Sequence, residues 1–126
     1  MIKFKTISVI TSLIALILCV VLLLIPEFIF WLFSIEEYSS AFFIGRRAAM
    51  LFLGIAVITW MGRNAEHSES RQSICIGLSV SMFALALLGT IEYLRGYAGI
   101  GISLAVIIEL VLAVLFFRVW FSYKNI

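Results

Sequence analysis

Ile102-Ser-Leu-Ala-Val-Ile-Ile-Glu109-Leu-Val-Leu-Ala-Val-Leu-Phe-Phe117 is an apolar run with one carboxylate near its middle. With its flanks it covers Ile100–Phe121. At ~1.5 Å per helical residue that is long enough to cross the ~30 Å hydrocarbon core of a bilayer. A helix that is apolar on every side has no stable place on a soluble surface, so this run sets the fold class.

The remainder of the chain agrees. Of its 126 residues, 64% are hydrophobic and 13% are charged, a balance that excludes a soluble domain. At roughly 20 residues per span the length accommodates about four spanning helices and no separate soluble domain. The expected architecture is an all-α, four-helix transmembrane bundle formed by residues 1–126 as one domain. Its helices are expected at about 6–25, 41–62, 73–94 and 99–121. An aromatic segment at about 27–38 either lies at headgroup level or continues helix 1 beyond a kink. Pro26 ends or kinks that first helix, because it cannot supply an interior N–H. Ser34 and Glu37 have capping-box spacing, which suggests that helix 2 starts near Ile35. The polar stretch from Arg63 to Arg71 closes helix 2, and the glycines of Arg95–Gly99 form a tight turn into helix 4. The start of the chain, Met1-Ile-Lys-Phe-Lys5 before an apolar run, resembles a signal peptide. The 19-residue run Ile7–Ile25 is longer than a typical signal core and is read as a retained helix.

Basic residues set the expected orientation. With both termini cytoplasmic, Lys3, Lys5, Arg63, Arg71, Arg118 and Lys124 fall inside and Arg46, Arg47 and Arg95 outside. Trp60, Trp120 and Tyr123 then mark the inner interface, and Trp31, Tyr38, Tyr93 and Tyr97 the outer one. The net charge of +2 is dispersed over the loops, which argues against nucleic acid as a partner. Cys19 and Cys75 lie in apolar runs at depths ~15 Å apart, so no disulfide is predicted and both read as small buried residues.

Glu109 is the polar group that most needs explaining. It stands nine residues before Arg118, about 13 Å along a helix and deep in the bilayer. An ionised carboxylate there costs several kcal/mol unless it is protonated, paired or hydrated. It continues the ridge Gly101, Ala105, Glu109, Ala113, which is small enough to face into a bundle. Glu109 is therefore either a proton- or ligand-coupled carboxylate or a structural one that holds helices together. On helix 2, Gly45, Ala48, Ala49, Phe52, Ala56 and Thr59 form a mostly small packing stripe. Arg46 flanks that stripe and is expected inward, where it could pair with Glu92 and reach toward Glu109. Arg47 is expected to snorkel to headgroups or to set topology. The expected ligand-binding set is thus Arg46, Glu92 and Glu109, unless the arginine pair merely sits among phosphates at the interface. Glu27, Glu36 and Glu37 read as a solvated outer rim or a cation-attracting entrance.

Other chemistries find no support. The single histidine, His67, has no second histidine or cysteine nearby, which argues against a metal site and against bis-histidine haem within one chain. No Ser-His-Asp set is present, and Gly96-Tyr-Ala-Gly-Ile-Gly101 lacks the lysine of a phosphate-binding loop. No cofactor is expected.

Several features resemble the small DoxX-like and related four-helix membrane proteins of bacteria. They are the Ile25-Pro26 end of helix 1, the aromatic segment after it, Gly45-Arg-Arg-Ala-Ala-Met-Leu-Phe-Leu-Gly54 opening helix 2, and the glycine-bearing turn before helix 4. The resemblance covers most of the chain and implies the fold and a bacterial cytoplasmic (inner) membrane rather than a particular activity. Small multidrug transporters share the length, but their essential glutamate lies in the first helix, and helix 1 here carries no acid.

Three functional readings follow. The first is a membrane protein that binds or transports an amphiphilic ligand, lipid-like or quinone-like, through an outer-leaflet polar cluster. The second is a structural or accessory subunit that docks its small-residue ridges onto a larger membrane complex, with homo-oligomerisation open as well. The third, an enzyme acting on a lipid-soluble substrate, is the weakest, because one carboxylate and one arginine are not a catalytic set.

Overall fold

A computed structural model describes residues 3–126. Five α-helices account for most of it: α1 (Phe4–Leu24), α2 (Pro26–Phe33), α3 (Ser39–Met61), α4 (Glu69–Leu94) and α5 (Ile102–Tyr123). All but α2 are long and apolar enough to cross a membrane. The chain is an all-helical membrane bundle in which α1, α3, α4 and α5 alternate up and down.

Local chemistry sets the breaks. Ile25 leaves the helical region (φ −137°, ψ 59°) and Pro26 opens α2 at its first position. A residue before proline is pushed out of the α region, and proline fits the first helical turn. The aromatic segment is thus a short helix of its own. The expected Ser34–Glu37 capping box does not form. Ser34 is instead the left-handed C-cap of α2 (φ 55°, ψ 45°), and the next helix begins only at Ser39. Helix α4 starts four residues earlier than expected, at Glu69, because Ser68 caps it by accepting a hydrogen bond from the Arg71 amide at 3.1 Å. Ser68 is the kind of residue that satisfies a free N–H at a helix start, with Glu69 favourable in the first turn.

The spans are organised as two antiparallel pairs, α1 with α3 and α4 with α5, joined mainly along α1 and α5. The α4–α5 seam is close and polar in places. Gly89 is buried where a Cβ would come within 3.0 Å of Val106. Ser79 Oγ donates to the Ala113 carbonyl at 2.8 Å, and Gln72 Nε2 to the Trp120 carbonyl at 3.0 Å. Small interfacial residues permit such approach between helices in lipid. The α1–α3 seam relies on small side chains instead, among them Ala15, Cys19, Ala49 and Ala56. Both cysteines are buried free thiols.

Two cores result. One joins Phe4 and Ile7 of α1 to Cys75 and Met82 of α4 and Leu112, Phe116 and Val119 of α5. The other joins Cys19 and Leu22 of α1 to Ala49 of α3, with Ile29 of α2 packed alongside. In the half of the bundle nearer α2, the α1–α3 pair and the α4–α5 pair therefore pack separately. The gap between them is the place where a site can form.

Candidate functional site

That gap is a cleft of about 310 Å³. Phe28, Ile29, Leu32 and Phe33 of α2 close one end. Thr11 and Ile14 of α1, Phe52 and Ile55 of α3, Met82 and Leu85 of α4, and Leu104, Ala105, Ile108 and Glu109 of α5 form its walls. Glu109 reaches it because Leu112, Ala113, Phe116 and Val119 form the buried stripe of α5, and Glu109 and Ala105 continue that stripe at helical spacing. The small-residue ridge seen in the sequence does face the bundle.

Glu109 and Thr11 are the two polar side chains among the lining residues. Thr11 is 3% exposed, and its hydroxyl has no hydrogen-bond partner among the described residues. Ser8, one turn before it, is also buried with an unpartnered hydroxyl, whereas Ser12 satisfies its own by donating to the Val9 carbonyl at 2.7 Å. Ser8, Thr11 and Ser12 recur at the spacing of one helix face, a hydroxyl stripe within an aliphatic run. That periodicity is the signal by which the sequence could have disclosed Thr11.

The other expected site residues lie elsewhere. Arg46 and Arg47 are exposed on α3, with Arg47 6.0 Å from the ring of Phe43. Glu92 is half-buried in the last turns of α4, and neither it nor Arg46 lines the cleft. The reason is the pairing of the helices: α3 packs on α1, α4 packs on α5, and α3 has no extended contact with α4 or α5. Of Arg46, Glu92 and Glu109, only Glu109 is brought to the cleft. Glu27, Glu36 and Glu37 are exposed, and Tyr38 donates its phenol hydrogen to the Glu36 carboxylate. This hydrogen bond raises the Tyr38 pKa above its ordinary value, with a smaller contribution from desolvation.

Among the described residues, no group of three or more histidine, cysteine, aspartate or glutamate side chains is placed to hold a metal ion. A carboxyl and a hydroxyl within aliphatic and aromatic walls can orient a polar head and exclude water from it, as small-molecule sites commonly do. No family model, curated protein or solved structure matches this chain.

Proposed function

We propose that the protein binds a lipid-like or quinone-like amphiphile from within the bilayer, in the cleft beside Glu109. The apolar walls take the tail, and Glu109 and Thr11 meet the head. The observation that carries this reading is the Thr11 hydroxyl, buried without a partner in the same cavity that receives Glu109. An unsatisfied buried hydroxyl costs about 1–3 kcal/mol, and a carboxylate in hydrocarbon costs several. A ligand head with a hydroxyl, carbonyl or amine supplies partners to both. The volume of about 310 Å³ suits a head and the first part of a chain, with the rest lying among lipid tails. On this reading Arg46 and Arg47 snorkel to headgroups. The end of the bundle bearing Lys3, Lys5, Arg63, Arg71, Arg118 and Lys124 faces the cytoplasm of a bacterium.

The test is native mass spectrometry of protein released from mild detergent, with identification of whatever remains bound. The expected result is a stoichiometric small molecule or lipid that is lost in Glu109→Gln and Thr11→Val, both variants remaining folded and monodisperse. Retention of the same molecule by both variants would overturn the reading. A bare protein, or one that co-purifies with another chain, would favour an accessory subunit. The exposure of most of α3, packed chiefly against α1, supports that second reading.

A further inference from the structure

A second cavity, of about 510 Å³, lies at the opposite end of the bundle, where α1 and α4 begin and α3 and α5 finish. We propose that it binds a phosphate group, carried either by an acidic lipid headgroup or free in solution. Lys3, Lys5, Arg63 and Arg71 line it together with Asn64 and the ring of Tyr123, and among the described residues no carboxylate lines it. Glu66, in the loop before α4, and Glu69, the first residue of α4, are exposed and lie outside the lining.

A ring of cations alone would be an ordinary solvated membrane rim. Arg71 makes this a site. It is 9% exposed, with its guanidinium 4.8 Å from the Phe4 ring centroid and 4.7 Å from that of Tyr123. A guanidinium has five N–H donors. Among the described residues, that of Arg71 makes one hydrogen bond, from Nη1 to the Ala65 carbonyl at 3.2 Å, while its buried Nε has no acceptor. Removing a charge from water without a counter-charge and with donors unused is unfavourable, and aromatic faces offset only part of that. The missing partner is an anion with several acceptor oxygens.

Phosphate fits because its oxygens match the planar fork of arginine, while lysines act as mobile point charges around it. Lys3 and Lys5 are exposed and free to close over a bound group, and among the described residues no side chain caps the start of α1, where Lys3 is the N-cap. The uncapped N–H groups and the positive end of the helix dipole reinforce the preference for an anion. The cavity also lies at the end of the helices long and apolar enough to cross a membrane, and the surface of a bilayer is where anionic headgroups are found. This proposal does not depend on the reading of the Glu109 cleft.

The experiment places the full chain in phosphatidylcholine nanodiscs, either plain or doped with phosphatidic acid. Lipid retention is read by native mass spectrometry, and inorganic phosphate binding is read in the plain discs. Arg71→Gln and the double variant Lys3→Gln with Lys5→Gln are compared with the unaltered protein. The expected result is saturable binding that each variant weakens by about tenfold or more, the scale of a lost charge-assisted hydrogen bond. Retention of phosphatidic acid undisturbed by inorganic phosphate identifies a headgroup site. Binding of inorganic phosphate in plain discs, with displacement of the lipid, identifies a site for soluble phosphate. If Arg71→Gln fails to fold, the double variant decides, since it alters only exposed side chains. The proposal is overturned if neither probe binds the unaltered protein, or if the folded variants bind as it does.

Discussion

The cleft beside Glu109 and the bowl around Arg71 occupy opposite halves of one bundle and reverse each other's chemistry. In the cleft, nearly all of the wall is aliphatic or aromatic, and the polar content is one carboxyl and one hydroxyl. In the bowl, four cationic side chains surround a few apolar ones. Each nevertheless holds a buried polar group with no partner among the described residues: the Thr11 hydroxyl in one and the Arg71 Nε in the other. Helix packing creates both spaces, and position relative to the membrane determines which chemistry fills them. Mid-membrane, a single polar group is already costly and selective, whereas at the interface charge is hydrated and can be accumulated.

The largest effect is expected from separating the two cavities. A Cβ on Gly101 would run into the Leu32 carbonyl of α2, a backbone atom that cannot step aside. Gly101→Ala should cost about 1–3 kcal/mol through this overlap and displace the α2 wall of the cleft. Cleft-ligand retention should fall while phosphate binding at the distant bowl persists; equal loss at both would show that the cavities are one unit. Next in size is Ser79→Ala, which removes the bond from α4 to the Ala113 carbonyl of α5. Both cavities rest on that pair, so a loss of about 0.6–1 kcal/mol in unfolding from detergent should affect them alike.

Thr11→Val should sharpen the contrast. Removal of an unpartnered hydroxyl should leave stability unchanged or slightly higher, while cleft-ligand retention drops about tenfold. A clear loss of stability would mean that Thr11 serves packing alone. The smallest effect is expected at Tyr38, exposed and far from the bowl. Tyr38→Phe should leave both binding activities intact. Spectrophotometric titration should show this phenol ionising above its ordinary value of about 10, since the hydrogen bond to Glu36 favours the protonated form. A raised folded-state pKa means that any contribution to folding is present below the unfolded value and disappears as pH rises through the folded one.

Hydropathy disclosed the spans because the bilayer fixes their length, and the Gly101–Ala113 ridge disclosed the inward side of Glu109 because small residues permit close approach. Helix pairing was not legible. With apolar residues on nearly every face, a span does not advertise its neighbour: the small stripe of α3 points to an inward Arg46 beside Glu92, whereas α3 pairs with α1 and Arg46 is exposed. The buried Arg71 was missed for a local reason. Hydropathy alone starts the helix near Ser73 and leaves Arg71 in a loop, but the Ser68 cap draws it into the first turn of α4 and against the rings of Phe4 and Tyr123.

Between the two helix pairs, among the described residues, a single hydrogen bond crosses: the Gly99 amide donates to the Phe33 carbonyl at 2.7 Å. Everything else of that kind stays within a pair or its adjoining loop. The two hairpins thus share an apolar core of α1, α4 and α5 but keep nearly all their hydrogen bonds to themselves. As the ribosome delivers the chain, α1 and α3 can pair before α4 and α5 emerge, leaving Phe4 and Ile7 to be covered later. The second hairpin then meets a partner already in place, closing the core around Phe4 and Ile7 at one end and the Gly99–Phe33 contact at the other.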